Sequence, residues 1–471
     1  MTIKIHFIAF IAGILLLTAG CTKYLDVKPE AAYTENQVFQ NEPAIQQALN
    51  GLYIDLADNN LYGAALTNTT IELMGQRYYT QGGSDLFYES FQNYQYQQTY
   101  VQTAFDNLWN KAYATILAAN IFIKKIDGAM NSNVVSAAHG KSLKGEAIAI
   151  RAMLHFDLLR LFGPSHTVGS LQAAIPYYTD ADGKAQPILN STQVLEKVFA
   201  DLATSATLLA ADPVVSAGVV NNPDFYTGYR NQRLNYFAVK GIMARAYLWA
   251  GRNQEAHDAA KEVLDQGERW FPWLPYGNIV SNLNPDRIFS PEVLFGIYNP
   301  AMYTNYTSFF SPDLTETTVL RAEPDRLKST FENNENDYRY LTTWLSTSKT
   351  YRTFFKFADL LDKTKSWRFL QPMLRKSEMY YILAETDPDP QIAIGYLNQV
   401  RHNRGLIDLL PPVNIKNELA KEYEKEFWGE GQLFFYYKRQ KQTYVTSGQS
   451  IYYTVAPVYA VPLPLSETTP R

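Results

Sequence analysis

The sequence feature that most constrains the fold is a pair of helical patterns joined by a glycine turn. Small and aromatic residues recur at helical spacing on both sides of this turn, at Ala244, Tyr247, Gly251, Ala256, Ala260 and Val263. Small residues let two helices approach closely, and a glycine commonly ends a helix in the left-handed conformation. Asn253 is placed to cap the second helix. The spacing predicts two closely packed helices.

A second pair of helical patterns, Met379–Glu385 and Ile392–Val400, keeps small and apolar residues at matching offsets. The spacing of both pairs resembles a tetratricopeptide repeat, in which stacked helix pairs bury a common core. The segment Glu146–Phe162 is apolar almost all round, which is typical of a helix wrapped by its neighbours. Arg151 and His155 on this helix are expected to be buried polar groups rather than ligands.

Helical periodicity recurs along most of the chain, between long polar and aromatic segments. The periodic segments are residues 101–127, 142–162, 191–210, 235–250, 254–267, 372–385, 390–403 and 415–440. Asn41, with Pro43 in the first turn, predicts the start of an earlier helix. Alternation typical of strands is found at Val293–Tyr298 and Val455–Val461. The sequence therefore predicts a mainly α protein whose long loops carry its function.

The N-terminus has the pattern of an exported lipoprotein. Lys4 precedes an uncharged apolar run, small residues occupy positions 18–20, and Cys21 follows directly. These are the charged region, apolar region and cleavage site of a secretory signal, and the run is shorter than the about 20 residues that span a bilayer. We expect residues 1–20 to be a signal peptide, Cys21 to carry the lipid, and residues 21–40 to form a tether. An uncleaved leader or a buried structural cysteine is the alternative.

Composition excludes several classes of partner. The formal net charge is −4 and becomes one unit more negative without Lys4, so nothing favours nucleic acid as a partner. Cys21 is the only cysteine, which leaves no disulfide or thiolate metal site. The 34 Tyr, 25 Phe and 7 Trp residues make up 14% of the chain. Since a tyrosine combines a flat apolar ring with a polar tip, such a chain can pack a core and also present rings to a ligand.

Sequence motifs for catalysis or metal binding are weak. The six histidines never form a His-x-x-x-His pair, so no zinc site is expected. Asp180–Gly183 has the first spacing of a calcium loop but lacks the glutamate at the twelfth position, which favours a simple turn. No metal or other cofactor is therefore expected.

Acidic residues recur every four positions along one helical face, at Glu422, Glu426 and Glu430. They predict a solvated or inter-helix polar ridge rather than a glycosidase dyad, because the carboxylates of a dyad normally flank the sugar from separate elements. Nearby lysines are expected to neutralise the ridge in part, namely Lys421, Lys425 and Lys438.

The strongest candidate for ligand binding is the segment 76–100, in which eight aromatic residues are interleaved with asparagines and glutamines. Flat rings cover sugar faces and amides bond hydroxyls from either side, which is what an oligosaccharide platform requires. Further aromatic patches lie at 270–276 and 298–306. The residues expected to contact ligand are Arg77, Tyr78, Tyr79, Tyr88, Trp273, Tyr303 and Tyr306. The alternative is that these rings pack the loops onto the helices.

Motifs along nearly the whole chain after the leader, in their order and spacing, resemble those of the SusD/RagB outer-membrane nutrient-binding lipoproteins. In chain order the motifs are Cys21 with Tyr24–Asp26 and Pro29, Gly145–Ala147, Arg151–Ala152, His155–Pro164, Ala244–Leu248 with Gly251, Leu397–Arg401 with Arg404 and Gly405, an acidic helix with Glu422, Glu426, Phe427, Glu430, Gly431 and Arg439, and Val458–Pro464 with Glu467. The chain differs from the family pattern at Leu433 and Tyr436, where the family often has arginine and aspartate.

The resemblance implies a tetratricopeptide-like helical superhelix of about four helix pairs with a large irregular, loop-rich ligand-binding region. It implies one domain over residues 41–471, with an N-terminal part at about 41–230 and a C-terminal part at about 231–471. Members of the family are not enzymes. They cap a SusC-type TonB-dependent transporter barrel as its lid and deliver oligosaccharides, or in some members peptides, into it. The expected location is the outer membrane, with the chain lipid-anchored and exposed at the cell surface.

Two other functions stay open on the sequence alone. The chain could be an extracytoplasmic helical-repeat scaffold that binds proteins on its concave face, as repeat superhelices often do. It could also be a glycan-cleaving enzyme that uses unrecognised carboxylates.

Overall fold

The computed structural model describes residues 35–80, 86–166, 170–280 and 284–468. The predicted signal peptide, the lipidation site at Cys21 and most of the tether lie outside the described residues and stay predictions.

The described chain is mainly helical. Its N-terminal helices are α1 Glu35–Val38, α2 Glu42–Leu56, α3 Thr70–Met74, α4 Leu86–Gln92, α5 Thr99–Asn131, α6 Ala137–Phe162, α7 Ser191–Leu208 and α8 Pro213–Ala217. They are followed by α9 Tyr236–Trp249, α10 Asn253–Gly267, α11 Tyr276–Val280, α12 Met302–Phe309, α13 Pro324–Thr330, α14 Tyr338–Thr343, α15 Lys376–Thr386, α16 Pro390–His402, α17 Ile415–Glu426, α18 Leu433–Arg439 and α19 Leu465–Thr468.

Strands in the described residues are short and form antiparallel two-stranded ladders. They are β1 Ala173–Pro176, β2 Ile188–Asn190, β3 Val293–Tyr298, β4 Trp344–Leu345, β5 Thr353–Phe354, β6 Leu370–Arg375, β7 Val445–Thr446 and β8 Thr454–Val455. The pairs are β1–β2, β3–β6, β4–β5 and β7–β8. The predicted strand at Val293–Tyr298 is confirmed as β3, whereas only the first residue of the predicted strand Val455–Val461 belongs to β8.

The long helices pack in pairs, as the repeat spacing predicts. The pairs are α2 with α5, α6 with α7, α9 with α10, and α15 with α16, and α10 also packs against α15. Gly251 follows the end of α9 and has a φ of +72°, which confirms the predicted left-handed turn. The predicted cap at Asn253 is wrong by one position, because α10 begins at Asn253 and Arg252 stands at the cap without a side-chain capping bond.

The start of α2 is confirmed at Asn41. Its side-chain oxygen accepts a hydrogen bond from the backbone N–H of Ala44 at 2.9 Å, and Pro43 occupies the first turn. This bond satisfies one of the donors that every helix N-terminus leaves free.

Two predicted helices are wrong in part. The segment 372–385 begins as the buried strand β6, which pairs with β3, and becomes helical only at Lys376. The segment 415–440 is split into α17 and α18 by Gly429 and Gly431, whose φ angles are +76° and +68°. A Cβ on Gly431 would lie 2.0 Å from the carbonyl oxygen of Leu66, so this close approach admits only glycine.

The helix α6 lies at the centre of the fold, packed against α5 and α7. From Gly145 to its end every residue is buried. Its polar groups have partners: Arg151 pairs with Asp201 at 2.7 Å, and Asp157 accepts hydrogen bonds from Arg160 and from the hydroxyl of Tyr62. The prediction of a wrapped helix with satisfied polar groups is confirmed.

His155 makes the folded state sensitive to acid. Its Nδ1 lies 2.9 Å from the carbonyl oxygen of Arg151, and its Nε2 accepts a hydrogen bond from the backbone N–H of Tyr178 at 3.0 Å. Burial lowers the pKa of His155 to about 3, against about 6.5 in an unfolded chain. Below pH 6.5 the unfolded chain therefore binds a proton that the folded chain does not. We expect the free energy of unfolding to fall by about 1.4 kcal/mol per pH unit from pH 6.5 downwards.

Urea unfolding of the His155→Gln variant between pH 5 and pH 7 tests this expectation. The variant is expected to have a lower stability at pH 7 and a flatter pH profile than the wild type. The exposed His402 provides a control, because His402→Gln should keep the wild-type slope. Equal slopes in wild type and His155→Gln would show that His155 is not the titrating group.

No helix among the described residues is long and apolar enough to cross a membrane.

Candidate functional site

Two of the residues predicted to bind ligand are fully buried. Arg77 and Tyr78 each have 0% of their surface exposed. The guanidinium of Arg77 lies 4.5 Å from the ring centre of Trp428 and donates to backbone carbonyls of α17. The hydroxyl of Tyr78 donates to the carbonyl of Asn68 at 2.8 Å. Both residues therefore fasten the segment 76–100 to the helical core, and their prediction as ligand contacts is corrected.

Three further predicted residues lie apart from one another. Tyr306 is buried, with a ring centroid 5.8 Å from that of Phe355. Tyr79 is half-buried beneath the guanidinium of Arg321, which lies 4.4 Å from its ring centre. Tyr88 lines a small depression of 180 Å³ together with Asn59, Asn60 and Phe309 among other residues.

The last two predicted residues flank a larger surface. Trp273 is half-buried against the ammonium group of Lys376, which lies 3.8 Å from its ring centre, so its ring serves packing. Tyr303 is half-buried, packs on Phe369 with ring centroids 5.1 Å apart, and donates from its hydroxyl to the carbonyl of Arg368. The structure therefore does not bring the seven predicted residues into one site.

The structure instead brings together rings from separate segments. Two adjoining depressions of 420 Å³ and 390 Å³ share Tyr229 and Gln232. We call them the aromatic groove, and its rings are Tyr53, Phe225, Tyr229, Trp270, Tyr298 and Trp367. Tyr298 is 53% exposed and packs on Phe369 with ring centroids 5.2 Å apart. The groove therefore combines one exposed ring, Tyr298, with half-buried rings from other segments.

The loop that carries Phe225 and Tyr229 is held by a buried ion pair to the central helix. Arg230 is 1% exposed and pairs with Glu146 of α6 at 2.7 Å and with Asp212 at 2.6 Å. Tyr229, just before it, has left-handed backbone angles of φ 46° and ψ 42°. Such a conformation costs energy in a bulky residue and persists where the surroundings enforce it, often at binding sites.

The opposite wall of the groove is equally well supported. The indole Nε1 of Trp270 donates to the carbonyl of Val215 at 3.1 Å. Gly218 lies so close beneath this ring that an added Cβ would be 2.6 Å from it. Tyr298 ends β3, whose pairing with Leu370 of β6 places Phe369 beside it. The groove is therefore built on rigid elements rather than on one long loop.

The groove also contains polar groups that lack partners. The Oδ1 atom of Asn231 and the Nε1 atom of Trp367 are buried and have no hydrogen-bond partner among the described residues. Buried polar atoms in native proteins are nearly always hydrogen-bonded to protein, water or ligand. Gln232 and Arg269 add further amide and guanidinium groups to the lining. Amide and guanidinium groups thus lie beside the apolar rings.

Sequence reasoning missed most of this groove, although a signal was present. The segment 219–233 has the same mixture of aromatic and amide residues that singled out 76–100. Its density of rings is lower, and the partner rings Trp270 and Trp367 lie far away in sequence. Only the fold brings them together.

The acidic ridge is buried and does not face the groove. Glu422, Glu426 and Glu430 are at most 4% exposed. They form a buried ion network with Arg339, Arg375, Arg401, Arg404 and Lys356. Although burial alone would raise it, these cations lower the pKa of Glu422 to about 2 and hold that of Glu426 well below its usual range. Glu422 and Glu426 are therefore ionised structural groups.

The counter-charges of the ridge differ from those predicted. Lys425 does pair with Glu422, at 3.3 Å. Lys421 instead pairs with Glu418 and Glu332. Lys438 donates to three carbonyls at the end of α6, from Arg160, Leu161 and Gly163. Arginines from other elements neutralise the acidic ridge. Residue spacing within one helix does not predict such distant ion-pair partners. Within the described residues no cluster of histidines, cysteines and carboxylates could hold a metal ion.

The fold and the groove together define a helical-repeat protein with an aromatic groove on its surface. Residues 23–220 match a SusD-like family model described as starch-binding associating with outer membrane. The SusD-like protein P25 of Formosa agariphila is 21% identical over 309 residues, which is 62% of this chain and 52% of that protein. The match thus spans about half the length of this relative.

Solved structures extend the likeness to nearly the whole chain. A SusD superfamily protein from Bacteroides thetaiotaomicron is 20% identical, with a TM-score of 0.69 over 90% of this chain and 97% of that chain. A laminarin binding SusD-like protein is 18% identical, with a TM-score of 0.64 over 86% and 92% of the two chains. These comparisons agree with the resemblance to the SusD/RagB family drawn from the sequence, and the likeness to the solved structures confirms the mainly helical fold class.

Proposed function

We propose that this chain is a cell-surface nutrient-binding protein that captures an oligosaccharide in the aromatic groove. The observation that carries the proposal is the set of aromatic rings, with Gln232 and Arg269 among them, that lines the two depressions. A sugar hydroxyl both donates and accepts hydrogen bonds, so it can bond to amide and guanidinium groups of the lining while the sugar faces lie on the rings. The two depressions together offer room for more than one sugar unit.

The comparisons support a glycan as the ligand. The matching family model is described as starch-binding, and one structural relative is a laminarin binding protein. Both ligands are neutral glucans, and rings with amides suit neutral sugars. The groove lining carries charges of both signs, from Asp224, Arg233 and Arg269, and so has no single-sign charge that would select a charged ligand. A peptide remains the second candidate for the ligand.

We also propose that the chain acts at the outer membrane as the lid of a SusC-type TonB-dependent transporter. The description of the matching family places its members at the outer membrane. Acylation at Cys21 would hold the chain there, and a cysteine that carries several acyl chains gives a stable hold where a single chain does not. Capture beside the barrel would then precede delivery of the glycan into it.

A glycan array that includes starch and laminarin oligosaccharides, followed by product analysis, tests the proposed activity. We expect binding of at least one neutral glycan, at modest affinity because a shallow groove must order a flexible ligand. No shortened products are expected. Turnover would instead support a glycan-cleaving enzyme. Binding to neither glycans nor peptides would favour a protein-binding scaffold and contradict the proposal.

A further inference from the structure

A second cavity lies on α5, lined by residues that do not line the aromatic groove. It has a volume of 280 Å³, near the lower end of small-molecule sites at about 300 Å³. Its lining comes from α5, from the loop after β1 and from the C-terminal helix α19. The aromatic residues of the lining are Trp109, Tyr113 and Tyr178. Neither the sequence patterns nor the proposed glycan site accounts for this cavity.

The planes of the three rings are inclined to one another. The ring centroids of Trp109 and Tyr113 are 4.6 Å apart with an angle of 54° between the rings. Those of Tyr113 and Tyr178 are 5.3 Å apart with an angle of 71°. Mutually inclined aromatic rings form the cages that bind organic ammonium ions, because the face of each ring carries negative electrostatic potential.

We call Trp109, Tyr113 and Tyr178 the cage, and hydrogen bonds hold it in place before any ligand binds. The hydroxyl of Tyr113 donates to the carbonyl of Pro176 at 2.9 Å. The side-chain amide of Asn120 donates to the carbonyls of Tyr178 and Asp180, both at 3.1 Å. These bonds tie the loop after β1 to α5. The cavity therefore requires little ordering on binding, which favours affinity.

The charges around the cavity also favour a cation. Asp180 lines the rim, is exposed, and makes no ion pair with any other described residue. Glu467 lies in the same lining. The basic groups that interact electrostatically with Asp180 have other partners, Arg151 with Asp201 at 2.7 Å and Lys184 with Asp182 at 3.0 Å. The charged residues of the cavity lining are therefore both acidic.

We propose that this cavity binds a small organic ammonium ion. Two sources carry this chemistry, an amino sugar and a quaternary ammonium headgroup. The cage supplies ring faces for the positive charge and its alkyl surroundings, and Asp180 supplies the counter-charge. The cavity is separate from the aromatic groove, so a test of ammonium binding here does not depend on glycan binding in the groove.

Calorimetric titration of the full chain with glucosamine, choline and neutral glucose tests the proposal. We expect saturable binding of glucosamine, choline or both that glucose does not reproduce at the same concentration. Asp180→Asn is expected to weaken the binding about three- to fivefold, as removal of one nearby surface charge implies. Glu196→Gln is the control, since it removes an exposed carboxylate that lies outside the cavity lining.

The two cationic probes distinguish the sources. Tighter binding of glucosamine assigns the cavity to an amino sugar, and tighter binding of choline assigns it to a quaternary headgroup. Binding of neither cation overturns the proposal. Binding that Asp180→Asn leaves unchanged, or that Glu196→Gln weakens equally, also overturns it, because the ammonium would then be held elsewhere.

Discussion

Replacing Glu426 with alanine is expected to lower the free energy of unfolding by about 3–5 kcal/mol, the usual cost of breaking a buried ion pair. Glu426 accepts hydrogen bonds from Arg339 at 2.9 Å and from Arg404 at 2.7 Å, and it also pairs with Arg375. All four residues are at most 4% exposed. The variant would leave three guanidinium groups buried with too little negative charge beside them.

Urea unfolding with a two-state fit measures this loss, and an unchanged slope would show that the unfolded state is not altered. Glu418→Ala is the matched control on the same helix, because Glu418 pairs with Lys421, whose side chain is 43% exposed. A partly solvated pair of this kind is worth at most about 1 kcal/mol. Similar losses in Glu426→Ala and Glu418→Ala would contradict the structural importance assigned to the buried ion network.

The helical part of the fold could be predicted because its signals are local. The cap at Asn41, the turn at Gly251 and the apolar surface of α6 each depend on residues within one or two helical turns. The prediction fails at residues 372–375, where the chain pairs with β3. Those partners lie about 80 positions earlier in sequence, and helical periodicity carries no information about such a distant ladder.

The sequence predicted the types of residue in the candidate site but not their positions. Tyrosines and amides do form the groove, but the segment with the highest density of aromatic residues, 76–100, does not line it. Arg77 and Tyr78 are buried by groups from α17 and from Trp428, which lie some 350 positions away. The rings of the aromatic groove come from five separate segments, so no single stretch marks them. Trp270 and Tyr298 belong to aromatic patches seen in the sequence and also line the groove.

Alanine at Tyr298 or Trp367 is expected to weaken glycan binding by about 1–3 kcal/mol, in line with aromatic hot spots at other binding surfaces. Each change removes a ring on which a sugar face would lie. Tyr298 is 53% exposed, so its loss should alter stability little. Trp367 is half-buried, and its variant is expected to lose some stability as well.

The affinity of Tyr298→Ala for the best glycan from the array, measured together with its melting temperature, tests the central claim most directly. Tyr88→Ala is the control, because Tyr88 lies in the separate depression beside Asn59. The account predicts at least a fivefold loss of affinity in Tyr298→Ala at nearly unchanged melting temperature, and wild-type affinity in Tyr88→Ala. Unchanged affinity in Tyr298→Ala with loss of binding in Tyr88→Ala would contradict it and place the glycan at the Tyr88 depression.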